Sequence, residues 1–245
     1  MAIATASEVN ASILVISEPN KTAVKGRQDW VCDDNLDVAL KVFDKNLTIK
    51  NQGIGAGFSY VTTKDATIYS CNTSGNKELV HFETMLEAIE ELIKSHKGRT
   101  IITGDFNAKS AQWGMNYTDI RGHTIVDWMA ANNLVIANEG ITPTFQCNNY
   151  TSILDLTIVS ENVNIQKWTV MDRESLSDHK YITFECVNNV QAKSIKTYNR
   201  GWRVDKLNKE KLKDELGKID QKSESTSVKC FNELLTRICD RTMAK

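Results

Sequence analysis

In Ile101-Ile102-Thr103-Gly104-Asp105-Phe106-Asn107 an apolar run ends in a glycine and then presents a carboxylate and an amide two positions apart. If the run is a strand, Asp105 and Asn107 point the same way. Such a pair suits a carboxylate that takes a proton from an attacking water and an amide that donates to a phosphoryl oxygen or orients the water. The blander reading is a turn in which Asp and Asn cap their own backbone. Leu154-Asp155-Leu156-Thr157-Ile158 sets one acid inside an apolar strand, where an unpaired charge is costly, so Asp155 requires a partner. His179, in Ser177-Asp178-His179, is the natural candidate, because a carboxylate fixes the imidazole tautomer and stabilises its cation. Taken alone, such a histidine is more often a surface residue.

Two further side chains fit the same chemistry. Ile13-Leu14-Val15-Ile16-Ser17-Glu18-Pro19 reads as a buried strand ended by an acid and a proline, which would hold Glu18 rigidly at the strand end. A carboxylate with few other ligands is what Mg²⁺ prefers, and that ion neutralises charge on a transferring phosphoryl group. Glu18 alone is as readily an exposed edge residue. Tyr69, in the strand pattern of residues 66–71, could give its hydroxyl to a phosphate, although strand tyrosines ordinarily pack. Each match is weak alone. Their order is informative, since Glu, Tyr, GDxN, a strand Asp and SDH each fall in a strand or at a strand terminus.

The elements that must position them are short. Strand patterns recur at residues 12–17, 37–43, 56–61, 66–71, 99–103, 134–137, 153–160 and 181–187. Leu79, Phe82, Leu86, Ile89 and Ile93 have helical spacing, as do Ile125, Val126 and Met129 after Asp119. Many strands with few helices predict an α/β (α+β) sandwich, two packed mixed sheets flanked by helices. From about residue 191 the sequence turns charged and Lys-rich with weak helical patterning, so the expected division is a domain over 1–190 and a helical extension over 191–245.

Composition limits the alternatives. There are 30 basic and 31 acidic residues, a net charge of −1, so nothing drives the whole chain toward nucleic acid and any DNA contact must be local. The basic segment holding Lys193, Lys196, Arg200, Arg203, Lys206, Lys209, Lys211 and Lys213 serves equally as a phosphate contact or a solvated helix face. No run of eighteen apolar residues and no signal-peptide pattern at residues 1–10 points to a membrane or to secretion, so an intracellular protein is expected. The six cysteines form no CxxC pair and read as reduced thiols rather than disulfides or a zinc site.

With these motifs in place, the sequence resembles the endonuclease/exonuclease/phosphatase superfamily, and more narrowly the apurinic-endonuclease-like domain of arthropod, target-specific non-LTR retrotransposons. The resemblance covers about residues 11–187. It rests on Ser17-Glu18-Pro19-Asn20, on Gly104-Asp105-Phe106-Asn107-Ala108-Lys109-Ser110 with Trp113-Gly114, on Arg121-Gly122, on Thr142-Pro143-Thr144-Phe145, on Leu154-Asp155-Leu156-Thr157 and on Leu176-Ser177-Asp178-His179. It implies a DNase I-like fold, Mg²⁺ with Mn²⁺ as a substitute, double-stranded DNA as substrate, and nuclear action. It further implies that Glu18 helps hold the metal, that Asp105 orients or deprotonates the water, and that Asn107 contacts the scissile phosphate. Asp155 would pair with His179, Asp178 would help orient the site or metal, and Tyr69 would contact the phosphate. The product would be a nick with a 3′-hydroxyl able to prime reverse transcription.

The pattern also has departures. Residues 1–10 have room only for the end of the helix that follows the family's first strand, so that strand and its asparagine are expected to be lacking. Lys109 stands where relatives frequently carry histidine, and the reverse transcriptase region expected in a parent polyprotein, introduced by a linker-like segment at 198–204, is absent here. An inactive or DNA- or partner-binding remnant, and a phosphatase or lipid phosphodiesterase of the same superfamily, are the alternatives to a nicking endonuclease.

Overall fold

A computed structural model describes residues 1–96, 98–187, 207–217, 237–239 and 241–242. The chain divides into two compact units, Met1–Asn189 and Val190–Lys245. In the first, the elements run α1 (Ala2–Glu8), β1 (Ile13–Ser17), α2 (Lys21–Val24), β2 (Val31–Cys32), β3 (Val38–Val42), β4 (Asn51–Gly55), β5 (Phe58–Thr62), β6 (Thr67–Asn72), α3 (Leu79–His96) and β7 (Thr100–Asp105). They continue with a 3₁₀ turn (Ala111–Trp113), α4 (Ile120–Ala131), β8 (Leu134–Ile136), β9 (Phe145–Cys147), β10 (Tyr150–Ser152), β11 (Asp155–Ser160), β12 (Asn164–Val170) and β13 (Ile182–Val187). Among the described residues no helix is long and apolar enough to cross a membrane.

Six strands form the main sheet in the order β4-β5-β6-β7-β11-β8, with β6 and β7 parallel and the other neighbours antiparallel. The crossover between β6 and β7 is α3, as a parallel pair requires. A second layer is made of β1-β3-β2 and of the pair β12-β13. Among the described residues β1 is paired only with β3, and β13 only with β12.

Near-continuous apolar runs arise because the main sheet is covered on both faces. Side chains alternate along each strand, so Ile68, Ile101 and Val159 enter the core shared with the second layer, beside Leu40, Val61, Ile13 and Val15. Their neighbours Tyr69, Ile102 and Ile158 enter the opposite core, against Phe82, Leu86 and Ile89 of α3 and Ile125 and Met129 of α4. The mixed-sheet sandwich expected from the sequence is thus present. The strands unread in the sequence, β2, β4, β9, β10 and β12, are short, edge or half-polar segments in which alternation is weak or interrupted.

The second unit contains α5 (Lys209–Gly217), whose first turn is capped by the Asn208 side chain accepting from the Lys211 N–H at 3.0 Å. Arg241 pairs with Glu215. The linker-like segment 198–204 and the basic residues Lys193, Lys196, Arg200, Arg203 and Lys206 lie outside the described residues, whereas Lys209, Lys211 and Lys213 of the same segment lie on α5.

One glycine is indispensable to the register that carries the site. Gly104 has φ +145°, and a Cβ there would stand 1.9 Å from the Cys71 carbonyl oxygen on the adjacent strand. Both strain and collision oppose any side chain. Gly104→Ala is expected to destabilise the chain by about 3 kcal/mol or more, read as a lower urea midpoint with an unchanged slope.

Candidate active site

The end of β7 is where three strands present polar groups in one row. Asn72 and Asp155 are the register partners of Asp105 on either side, so side chains that lie apart in sequence meet across the sheet. All three follow the parity of the face that looks toward the second layer, where β1 ends at Ser17 and Glu18. The Ser17 hydroxyl donates to the Cys71 carbonyl at 3.2 Å and accepts from the Asp105 N–H at 3.1 Å, fastening β1 to the strand ends.

After Asp105 the chain turns back. Asn107 has φ +47°, an uncommon conformation that asparagine tolerates. Its backbone N–H donates to Asp105 Oδ1 at 2.9 Å, and its Nδ2 donates to Asp105 Oδ2 at 2.8 Å and to the Thr73 carbonyl at 3.1 Å. The Asx turn and the reactive pair are therefore the same arrangement, not alternatives. Arg121 supports it from behind: its guanidinium, almost wholly buried over the Phe82 ring, donates to the carbonyls of Ser74 and Lys77 and fixes the loop that carries Thr73.

His179 closes the cluster. Its Nδ1 lies 2.8 Å and 3.1 Å from the two Asp155 oxygens, and its Nε2 lies 3.7 Å from Asp105 Oδ2. Phe145 meets the imidazole edge to face at 5.0 Å and limits its tilt. The strand entrance at Asp155 is held by Thr144, whose hydroxyl accepts from the N–H groups of Leu154 and Asp155 at 3.1 Å each, and by Asn138, whose amide donates to the Asp155 carbonyl at 3.0 Å. Ser17, Thr144 and Asn138 carry no signal of these roles in the sequence beyond lying in or near the quoted motifs, because their work is done by contacts between distant strands.

Charge crowding sets the titration. Burial first, then the facing Asp155 charge, pushes the Asp105 carboxyl up to about 7, with Glu18 adding to the rise and His179 and the Asn107 N–H opposing it. For His179, burial acts to lower the pKa, but the hydrogen bond and charge of Asp155, with Asp105 and Glu18, raise it to about 8. A base and an acid are thus tuned to the same pH range from opposite sides.

Not every expected residue converges here. Tyr69 is fully buried and packs against Tyr60 and Phe58 in the helix-side core. It sits opposite Ile102, three positions before Asp105 and on the other face of the sheet, so its hydroxyl is held away from the cluster by strand parity. The Asp178 side chain is exposed, its carboxylate raises the pKa of the nearby Cys147 thiol on the β9-β10 hairpin, and its carbonyl accepts from the Gln146 N–H at 2.7 Å. It braces the hairpin and is not brought to the cluster. Glu18 does reach the site's field: it is exposed, has φ +51°, and its backbone N–H donates to the Asp37 carbonyl at 2.9 Å.

Among the described residues no three His, Cys, Asp or Glu side chains converge on one point as a self-sufficient chelate. What the site offers is surplus carboxylate, with Glu18, Asp105 and Asp155 all acting on one imidazole. That donor set fits a hard cation held by one or two carboxylates, retained water and a substrate phosphate oxygen, which is how Mg²⁺ binds. It does not fit zinc, which takes four closely grouped nitrogen or sulfur ligands.

A two-layer sandwich thus brings two largely buried aspartates, a half-buried histidine and a tethered asparagine together at the strand ends. The model of the endonuclease-reverse transcriptase family matches residues 66–183. The endonuclease domain of TRAS1, a telomere-specific non-LTR retrotransposon, is similar at 26% identity and TM-score 0.65, over 77% of this chain and 91% of that one. Two more distant structures share the fold. A mannosyl-6-phosphatase from Bacteroides thetaiotaomicron has 16% identity and TM-score 0.55, over 76% of this chain and 88% of its own. A 3′ phosphatase from Neisseria, solved with a product DNA hairpin, has 12% identity and TM-score 0.56, over 76% and 94%. No curated protein sequence matches the chain. The chain is thus similar to the endonuclease-reverse transcriptase family over residues 66–183 and to a retrotransposon endonuclease domain over most of its first unit.

Proposed function

We propose that the chain is a divalent-metal-dependent DNA endonuclease that hydrolyses one phosphodiester of a duplex and leaves a 3′-hydroxyl, the end a reverse transcriptase extends. The observation that carries this reading is the His179 imidazole clamped by Asp155 and facing Asp105 across 3.7 Å, with Asn107 tied to the same carboxylate. The similarity to a retrotransposon endonuclease domain at 26% identity supports DNA as the substrate. The phosphatase structures, at 16% and 12%, support the fold alone.

In this reading Asp105 takes the proton of the attacking water. It is buried, held by two hydrogen bonds from Asn107, and poised near neutral pH, as an efficient general base should be. Protonated His179 donates from Nε2 to a phosphoryl oxygen, while Asp155 keeps the imidazole cationic through Nδ1. The Asn107 amide orients the phosphate. Glu18 would hold Mg²⁺, or Mn²⁺ in its place, which when bound neutralises charge on the phosphoryl group. Such an enzyme would act in the nucleus.

The test is conversion of supercoiled plasmid to open circle by the purified chain in 5 to 10 mM Mg²⁺, about the range over which weakly held hard cations saturate. Nicking abolished by EDTA and restored by Mg²⁺ is the expected outcome. Plasmid left intact by a cooperatively folding chain would sink the proposal in favour of a remnant, and release of phosphate from a phosphomonoester instead would favour the phosphatase reading.

A further inference from the structure

Beside the catalytic cluster lies a cavity of about 480 Å³ whose lining includes Asn107, Lys109, Arg121, Phe145, Tyr150 and Leu154. Lys109 is its unusual member. The Lys109 ammonium donates to the Tyr117 hydroxyl at 2.9 Å and lies 5.4 Å from the centroids of both the Tyr117 and the Tyr150 rings. No carboxylate pairs with it among the described residues. Asp119, which lines the same cavity, is spent on backbone amides: its Oδ1 accepts from Gly122 N at 2.7 Å and from Lys109 N at 3.2 Å. Gly122 permits this closeness, since a Cβ there would stand 1.9 Å from the Lys109 carbonyl oxygen. Both the main chain and the head group of Lys109 are therefore fixed in place.

A cation held by two phenols keeps its full charge, and hydrogen bonds first to Tyr117 and then to Tyr150 hold it above the usual lysine range. Its one geometrically defined hydrogen bond, to Tyr117, leaves donor capacity at the cavity it lines. Tyr117 and Tyr150 are 54% and 49% exposed, so aromatic surface remains accessible to solvent beside that charge. A fixed cation with accessible aromatic surface, one cavity away from the residue that orients the reacting phosphate, is suited to a polyanion carrying bases.

We propose that Lys109, framed by Tyr117 and Tyr150, binds a second phosphate of the substrate strand, next to the one being hydrolysed, and so selects a polynucleotide over a phosphomonoester. The proposal rests on the endonuclease reading and adds to it the residue that recognises a neighbouring phosphate. Lys109 is a positioning residue. It touches a part of the substrate that does not react, and its contribution should fall on binding.

The test measures binding of a fluorescent 30-base-pair duplex by anisotropy, comparing Asp105→Asn with Asp105→Asn/Lys109→Gln, so that no turnover is required. Loss of one phosphate contact is expected to weaken binding by about tenfold and to reduce the slope of log K against log salt by about one. Lys109→Arg should restore most of both, because it keeps the charge, and thermal melting confirms that each variant folds. Duplexes with single neutral methylphosphonate linkages should show one position, flanking the nick, whose substitution weakens the Lys109-containing chain but not the Lys109→Gln chain. Equal affinity and equal salt slope in the two chains would overturn the proposal even if the enzyme nicks plasmid. Binding that depends on Lys109 in a protein that cleaves nothing would instead overturn the endonuclease reading and leave this contact standing.

Discussion

Alanine in place of His179 is expected to lower plasmid nicking by about 10³-fold, mainly in kcat, because the group that donates to the developing phosphoryl charge is removed. The same change should also cost stability. Asp155 accepts two contacts from the ring at 2.8 Å and 3.1 Å and is otherwise largely buried, so deleting the imidazole leaves a desolvated carboxylate unpaired, a loss of about 1–3 kcal/mol. The pH profile separates His179 as acid from His179 as mere packing. Asp105 must be ionised and His179 protonated, so the rate should rise through about pH 7 and fall above about 8. Asp155→Asn removes the main influence that raises the imidazole pKa, so the alkaline limb should move to lower pH as the maximum rate drops. An alkaline limb unmoved by Asp155→Asn would remove His179 from the acid role.

Asp105→Asn is expected to abolish nicking and yet to raise the melting temperature at pH 8. Asp105 is 4% exposed, faces Asp155 across the ladder, and keeps its proton to about pH 7 in the fold, against about 4 in an unfolded chain. Below about pH 4 the carboxyl is neutral in both states and the shift costs nothing. Between about pH 4 and 7 the unfolded chain gives up the proton first, so stability falls as pH rises through that window. Above it, holding the charge in the metal-free fold costs about 2–4 kcal/mol, which the neutral amide removes. The introduced amide retains an oxygen to accept from the Asn107 N–H but loses the bond from Asn107 Nδ2, which offsets part of the gain while the turn survives. The variant should melt roughly 5 °C or more above the parent at pH 8, with the difference vanishing near pH 4. His179 reinforces the trend in the parent: its raised pKa contributes stability fully present below about pH 6.5 and lost as pH rises through about 8. Equal melting of the two proteins across this range would show that Asp105 is not under the charge stress described. A gain in stability accompanied by loss of activity is the signature of a carboxylate held ionised for chemistry at the expense of the fold.

Much of this site was legible in the linear order of residues, and the reasons are local. An acid inside Leu154-Asp155-Leu156 cannot stay unpaired, so its pairing with His179 followed from the cost of burying charge, and the structure sets the two 2.8 Å apart. The glycine before Asp105 was visible as the end of an apolar run, but only the structure shows why no side chain fits there, since the Cys71 carbonyl lies where a Cβ would go. Tyr69 shows the limit. Residues 66–71 are recognisable as a strand, but whether position 69 faces helices or the second layer depends on register against β7, and a one-residue shift exchanges the two faces. Asp178 shows it differently: adjacency to His179 in the chain brought its backbone to the hairpin while sending its side chain to Cys147.

The sequence by itself determined the class of fold, the Asp105, Asn107, Asp155 and His179 set, and the absence of any global charge drive toward DNA, because these rest on residue type, alternation and the cost of buried charge. Only the tertiary structure decided that Ser17 ties β1 to Asp105, that Thr144 and Asn138 hold the Asp155 strand entrance, and that Lys109 is set between Tyr117 and Tyr150. Those facts depend on which strand ends meet across two layers, and hydrogen bonds between segments some tens of residues apart leave no periodic trace along the chain.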